Sequence, residues 1–366
     1  MRILFITACY LPTTNGVTYH ISSVTQSLRK LGHKVYILAP TFPGYKDSDK
    51  YVFRYPSIPN PFIKTYPLGI PLFLRGKLKK IKPDVIHTHH PLIIGQYAAQ
   101  VADWLSKPFF FTAHTQYEQY LNYYFPHGYS LTSKIIIRDL QKLGKRCQKV
   151  VCPSANTELR LNRYGIENTT VINNGVEDYF FVKPKKKPIS QPTLVFTGRL
   201  EKEKNPFFLL KIGQELKKLM PNFRLIIIGS GSLLNKLQQK FIQSKLENNL
   251  LFTGDVNRSL LPDIYKSAHV FLTPSTSEVM PLSLLEALAS GLPAIALKHS
   301  GLEELILDGK TGFIVNKKPK EIAEKINDLF QNPKILHKLS LDSYKHAQKF
   351  SVEKTAEKLI KLYQAH

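Results

Sequence analysis

The sequence predicts an α/β protein made of two doubly wound halves, and three observations carry that prediction. Short apolar runs alternate with amphipathic stretches along most of the chain, the pattern of parallel strands covered on both faces by helices. The pattern breaks near residue 180 and then starts again. The length of 366 residues exceeds one typical domain and suits two.

In the first half, residues 3–7, 35–38, 85–87, 109–112 and 150–152 read as buried strands. Between the first two lies a helical pattern over 20–31 that ends at Gly32, a residue suited to a C-cap. Residues 183–188, Lys-Pro-Lys-Lys-Lys-Pro, suit neither a packed helix nor a central strand and read as a linker. A second series follows, with strands expected at 194–197, 225–228, 250–252, 270–272, 294–296 and 313–315. Helices are expected near 207–218, 231–244, 282–289 and 320–330, and a last amphipathic segment at 352–363 could pack back onto the first half. The expected organisation is a Rossmann-like domain over 1–182, a second over 189–345, and a C-terminal helical segment over 346–366.

A hydrophobic fraction of 43% supports a sizeable core in each half. Lys and Arg outnumber Asp and Glu by 51 to 27, a formal charge of +24, which attracts anionic lipid, nucleic acid or phosphorylated substrates. Cys9, Cys147 and Cys152 are too few and too scattered for a disulfide framework or a zinc site. The N-terminal residues read as a buried strand rather than a signal peptide, and no apolar stretch approaches the roughly 18 residues of a membrane span. These features predict a cytoplasmic enzyme, attached peripherally to the inner face of the cell membrane.

Ligands of doubly wound sheets bind beyond the carboxyl ends of the strands, where backbone amides and helix N-termini face an anion. Three loops have that address. The first, after strand one, carries Asn15-Gly16-Val17 and opens a helix, but it lacks the three-glycine dinucleotide fingerprint, which disfavours a nicotinamide cofactor. The second follows the first strand of the second half and places Arg199 and Lys204 where two cations could take a diphosphate. The third, 277–291, carries Glu278 on a loop and Glu286 about two helical turns later. Glu286 sits among Leu284, Leu285, Ala287 and Leu288, where a carboxylate without a partner would be costly.

Glu278 and Glu286, with seven residues between them, resemble the paired-glutamate signature of the retaining glycosyltransferases of family four, which have the GT-B fold. The resemblance covers essentially the whole chain. Asn15-Gly16-Val17 is similar to the family's first glycine loop, and Asp84-Val-Ile-His-Thr-His89 to its Asp-x-x-His-x-His strand end. His114 resembles its cleft histidine, Asn174-Gly175-Val176 its interdomain turn, Gly198-Arg199-Leu200 with Lys204 its diphosphate pair, and Gly229-Ser-Gly231 its second glycine turn.

The resemblance implies two Rossmann-like domains facing each other across a cleft. It implies that Arg199 and Lys204 neutralise the leaving diphosphate, the largest electrostatic demand of such a reaction. Gly16 then offers backbone to that diphosphate, Glu286 binds the ribose, Glu278 binds the transferred sugar, and His114 contacts the sugar near its reacting carbon. Main chain around Gly254-Asp-Val256 faces the base. The implied catalytic set is His114, Glu278, Arg199 and Lys204, and the donor-binding set Gly16, Arg199, Lys204, Gly254, Val256, Glu278, Met280, Leu282 and Glu286. The acceptor hydroxyl enters on the face the nucleotide leaves, and neither a metal nor a cofactor is expected, since no Asp-x-Asp pair with an acidic cluster appears. One departure bears on donor choice: Pro281 stands where the family usually has Gly, and proline lacks an N–H.

Residues 109–125 are unusually aromatic, and 114–120 is similar to the corresponding stretch of bacterial diacylglycerol glucosyltransferases, as is the first loop. That similarity implies UDP-glucose as donor, a lipid acceptor such as diacylglycerol, and work at the cytoplasmic leaflet. Two segments, 71–82 and 133–149, interleave apolar and cationic residues and suit an anionic membrane surface. For the second, a core-facing helix with a solvated basic back is an equal alternative. Rival readings are transfer to a soluble or polymeric envelope-glycan acceptor, a non-hydrolysing sugar-nucleotide epimerase, and a basic nucleic-acid-binding protein. No recognised nucleic-acid module supports the last.

Overall fold

A computed structural model of the chain describes residues 1–60, 67–69, 71, 74–116, 129–276, 278–298, 302 and 304–366. In chain order the first elements are β1 (Arg2–Ile6), α1 (Gly16–Lys30), β2 (Lys34–Pro40), β3 (Val52–Tyr55), β4 (Ser57–Ile58), β5 (Leu68–Gly69), α2 (Arg75–Ile81), β6 (Val85–Thr88) and α3 (Leu92–Leu105). They continue with β7 (Phe109–Thr112), α4 (Tyr129–Arg146), β8 (Lys149–Cys152), α5 (Ala155–Arg163), β9 (Thr169–Val171), β10 (Thr193–Thr197), α6 (Pro206–Leu219), β11 (Arg224–Ile228) and α7 (Leu234–Gln243). The last are β12 (Leu250–Gly254), α8 (Leu261–Ser267), β13 (Val270–Thr273), α9 (Leu282–Ala289), β14 (Ala294–Leu297), β15 (Gly312–Val315), α10 (Pro319–Gln331), α11 (Pro333–Ala347) and α12 (Val352–Gln364). They form two units, Met1–Gly175 with Val352–His366, and Val176–Ser351.

The first unit holds a parallel sheet in the order β3-β2-β1-β6-β7-β8-β9. Successive side chains of β1 point to opposite faces, and both faces are covered. Ile3 and Phe5 join Ile21 and Leu28 of α1 and Leu359 and Tyr363 of α12, while Leu4 and Ile6 join Ala98 and Ala102 of α3 and Leu140 and Leu143 of α4. Val352, Ala356, Leu359 and Tyr363 recur at helical spacing, so one stripe of α12 is buried. The strands β3 and β9 escape a search for apolar runs because they are short edge strands and only half buried.

The second unit holds a parallel sheet in the order β12-β11-β10-β13-β14-β15. Leu194, Phe196, Leu225, Ile227, Val270 and Leu272 pack against Leu209, Ile212 and Leu216 of α6 and Ile322, Ile326 and Leu329 of α10.

The units divide at Gly175/Val176 and Ser351/Val352, not inside 183–188. The lysine- and proline-rich stretch belongs to the second unit: Phe180 is fully buried, and Lys187 Nζ donates to Ala268 O at 2.6 Å. Its composition marks extended chain that makes no regular ladder, which is a different property from a boundary. At Gly175 a Cβ would lie 2.4 Å from the Cα of Val352, so only glycine fits where the two chain passages run together.

Each sheet reverses its direction of winding once. The chain passes from β1 to β2 and β3 on one side and resumes at β6 on the other; β10, β11 and β12 are likewise followed by β13 across β10. The carboxyl ends of β1 and β6, and of β10 and β13, are therefore the switch points at which doubly wound sheets take their ligands. No helix among the described residues is long and apolar enough to cross a membrane.

Candidate active site

In the first unit the carboxyl ends of β1, β6 and β7 are occupied by histidines. Asn15 caps α1 through Thr18 N–H at 2.9 Å, which sets His20 one turn into the helix. His87, on β6, bonds Thr112 Oγ1 at 2.7 Å and the Tyr363 hydroxyl of α12 at 2.5 Å. His89, just past β6, stacks on His87 and meets His114 Nε2 through Nδ1 at 3.0 Å. The rings of His20 and His114 lie 4.6 Å apart.

Burial pushes these imidazoles down, together with His90, whose Nδ1 meets Thr7 Oγ1 at 3.1 Å: His20 and His90 to about 4, His87 to about 3, and His89 and His114 well below their ordinary value. They are neutral hydrogen-bonding groups, so His114 offers a ligand a dipole and not a cation. Ring nitrogens of His20, His89 and His114 lie within 4.8 Å of one another, a set whose chemistry could also hold a transition-metal ion.

The Asp-x-x-His-x-His stretch divides its labour along the strand. Asp84 stands at the amino end of β6, where its carboxylate accepts the Arg2 N–H at 2.7 Å and pairs with the Arg2 guanidinium at 3.3 Å. It ties β1 to β6, and only the histidine end faces the switch point. A Cβ at Gly16 would meet no atom of the described residues within 4 Å. Packing within the chain therefore does not require glycine there, whereas a close ligand would.

In the second unit the loops after β10 and β13 are stitched together. Thr276 N–H donates to Glu203 O at 3.3 Å and Asn205 Nδ2 to Pro274 O at 3.3 Å. Glycines make a further close contact: a Cβ at Gly229 would lie 2.2 Å from Gly198 O, and one at Gly231 2.5 Å from Leu200 O. Backbone thus packs directly on the loop carrying Arg199.

On this platform Lys204 Nζ donates to Glu278 Oε1, and Arg199 Nη2 pairs with Glu203 Oε1 at 2.8 Å. Glu203 is almost wholly buried while Arg199 is 39% exposed, so the carboxylate anchors a guanidinium that still faces solvent. Each cation already has one carboxylate, and a diphosphate would compete with these for both.

Glu286 lies elsewhere than its spacing suggests. The helix α9 starts only at Leu282, with Pro281 as its cap at φ −70°, so Glu286 is just past the first turn and not two turns in. Buried, it receives Arg258 Nε at 2.9 Å and Arg258 Nη2 at 2.5 Å, while Arg258 Nη1 donates to Glu177. Burial pushes the Glu286 carboxyl up and the guanidinium opposes that push. Met280 and Leu282 are buried beside Pro281, and Gly254, at φ +67°, accepts the Gly229 N–H at 2.8 Å. Val256 is partly exposed in the loop between Gly254 and Arg258.

Sequence reasoning missed Arg258 and Glu203, since no spacing singles them out among 51 basic and 27 acidic residues. Of the segments expected at the acceptor and membrane, residues 72–73 and 117–125 lie outside the described residues. The helix α4 turns Ile136, Leu140 and Leu143 into the core, which is the core-facing alternative. It leaves Ile135 54% exposed between Lys134 and the face of Arg138. Asp139, one turn after Ile135, caps Leu92 N–H of α3 at 2.8 Å, which brings the exposed Leu92 and Ile93 to the same end.

Residues 14–179 match the family described as Glycosyltransferase Family 4, and residues 179–346 the one described as Glycosyl transferases group 1. The chain is 29% identical over 395 residues to an alpha-monoglucosyldiacylglycerol synthase of Acholeplasma laidlawii, covering 99% of this chain and 96% of that protein. It is 28% identical over 331 residues to a GDP-mannose-dependent alpha-mannosyltransferase of Mycolicibacterium smegmatis, covering 86% and 84%. Its fold matches the Anabaena protein Alr3699/HepE, solved in complex with UDP and glucose, with a TM-score of 0.76 at 18% identity over the whole of both chains.

Proposed function

The chain belongs to the family 4 glycosyltransferases of the GT-B fold, and we propose that it moves glucose from UDP-glucose to a hydroxyl of a membrane lipid such as diacylglycerol. One observation carries the reading of the donor site. Arg199, Lys204 and Glu278 stand on the two loops at the β10/β13 switch point, with the cation of one loop on the carboxylate of the other.

In this reading Arg199 and Lys204 take the diphosphate as it leaves, and charge developing there is what they stabilise. Glu278 exchanges its bond to Lys204 for hydroxyls of the transferred sugar. Glu286 accepts from the ribose, backbone of Gly254 and Val256 faces the base, and Met280 and Leu282 wall the site. Gly16 offers main chain to the donor, and neutral His114 accepts or donates a hydrogen bond at the sugar. The acceptor enters on the face the nucleotide leaves, with configuration retained and no metal needed, since the cations belong to the protein.

The lipid acceptor is supported by the glucosyldiacylglycerol synthase relative, alike over nearly its full length, and by Ile135 and Ile93 standing exposed in a strongly basic chain. A second reading, a mannosyl donor, is favoured by the GDP-mannose-dependent mannosyltransferase relative. A screen of nucleotide-sugar donors with membrane lipid extract, read by mass analysis of the product, separates them. A hexosyl-diacylglycerol made from UDP-glucose supports the first reading. Transfer only to soluble glycan, or only from GDP-mannose, overturns it.

A further inference from the structure

We infer that Arg258 is a positioning residue that fixes the Glu286 carboxylate as an acceptor for the ribose of the donor; this rests on the proposed role of Glu286. Three restraints hold the guanidinium. Nε and Nη2 both donate to one oxygen, Glu286 Oε1, Nη1 donates to Glu177, and Cζ lies over the Phe180 ring, 5.2 Å from its centroid. Both bonds to Glu286 fall on Oε1, so Arg258 grips one oxygen and leaves Oε2 to other partners.

The three side chains come from three separate places in the second unit: the segment after Val176, the loop after β12, and α9. All are largely buried, with 11% of the Arg258 side chain exposed and 5% of that of Glu286. The groups facing the Glu286 carboxyl are Arg258, Glu177 and the Tyr265 hydroxyl, and Tyr179 stands near the guanidinium. Arg258 is the cation of that set. Without it, burial and the charge of Glu177 both favour the protonated acid, which offers fewer and weaker lone pairs to a sugar hydroxyl. The arginine's fork also sets direction, which a point charge would not do.

The test is equilibrium binding of UDP and of 2′-deoxy-UDP to the whole chain, by calorimetry between pH 6 and 8.5. Wild type is expected to prefer UDP, with little change over that range. Arg258→Met is expected to bind UDP about tenfold to a hundredfold more weakly at pH 7, the loss of one charge-assisted contact. It should lose the preference over the deoxy nucleotide and regain affinity as pH rises and Glu286 ionises. Arg258→Lys should keep the flat profile with a smaller loss. The double variant Arg258→Met/Glu286→Gln removes the uncompensated carboxylate, so it should fold and bind no more weakly than Glu286→Gln alone.

A loss in Arg258→Met that is the same at every pH and adds in full to that of Glu286→Gln would overturn the inference. So would wild-type affinity and preference in Arg258→Met. If Glu286→Gln itself leaves affinity and preference unchanged, it is the ribose role of Glu286 that fails.

Discussion

Lys204 Nζ donates to the carboxylate of Glu278, 74 positions away, and joins the loop after β10 to the loop after β13. Both side chains are mostly buried, so this is a desolvated pair between the cation proposed for the diphosphate and the acid proposed for the sugar. Removing either leaves the other without its partner, and the two losses should differ in kind. Glu278→Gln frees Lys204, so UDP should bind as tightly as before or tighter while sugar transfer falls about a hundredfold or more. Calorimetry with UDP beside initial rates checks this. A tenfold loss of UDP affinity would place Glu278 on the nucleotide instead.

The two cations should read the diphosphate and nothing else. Arg199→Ala and Lys204→Ala are each expected to weaken UDP by about tenfold or more, while uridine binds equally to all three proteins. Full transfer activity in either variant, with folding intact, would remove that residue from the site. Glu203→Gln should give a milder form of the Arg199 defect, since the buried carboxylate only holds the guanidinium.

The histidine file predicts acid lability. His20, His87 and His90 titrate near 4, 3 and 4 when folded and near the ordinary 6.5 when unfolded. Their folded values are depressed, so the unfolded chain binds more protons below pH 6.5 and stability falls as pH drops toward the folded values. At pH 5.5 each costs on the order of 1 kcal/mol relative to pH 7.5. The melting temperature of the first unit should drop by several degrees across that interval, and His20→Gln should flatten the slope. Equal melting temperatures at the two pH values would contradict the burial of neutral imidazoles.

Docking on lipid should depend on apolar side chains as well as charge. Ile93→Glu and Ile135→Glu replace exposed residues and should fold normally, yet sediment less with vesicles rich in anionic lipid. Wild-type binding should rise with anionic lipid and weaken in salt. Equal sedimentation with neutral and anionic vesicles would sink the membrane reading.

Strands such as β1 and β10, and the loops that follow them, were legible because their signals are local. A run of buried apolar residues needs only its own few positions, and a parallel strand covered on both faces is apolar throughout. The placing of Arg199, Lys204 and Glu278 on loops beyond strand ends follows from the same local pattern. What the chain's own order could not show is which loops meet. Arg258 sits between Asn257 and Ser259 with no period or motif around it, and its meaning lies in carboxylates 28 and 81 positions away. Asp84 and His89 belong to one short stretch, yet one ties the amino end of β6 to β1 and the other faces His114. The division into units depends on distant partners in the same way, since Phe180 and Lys187 are held by residues far along the chain. The residues by themselves determined periodicity, turn chemistry and which charged residues stand on loops beyond strand ends. Only tertiary structure decided the ion pairs, because a charge takes its role from the burial and the partners that folding brings to it.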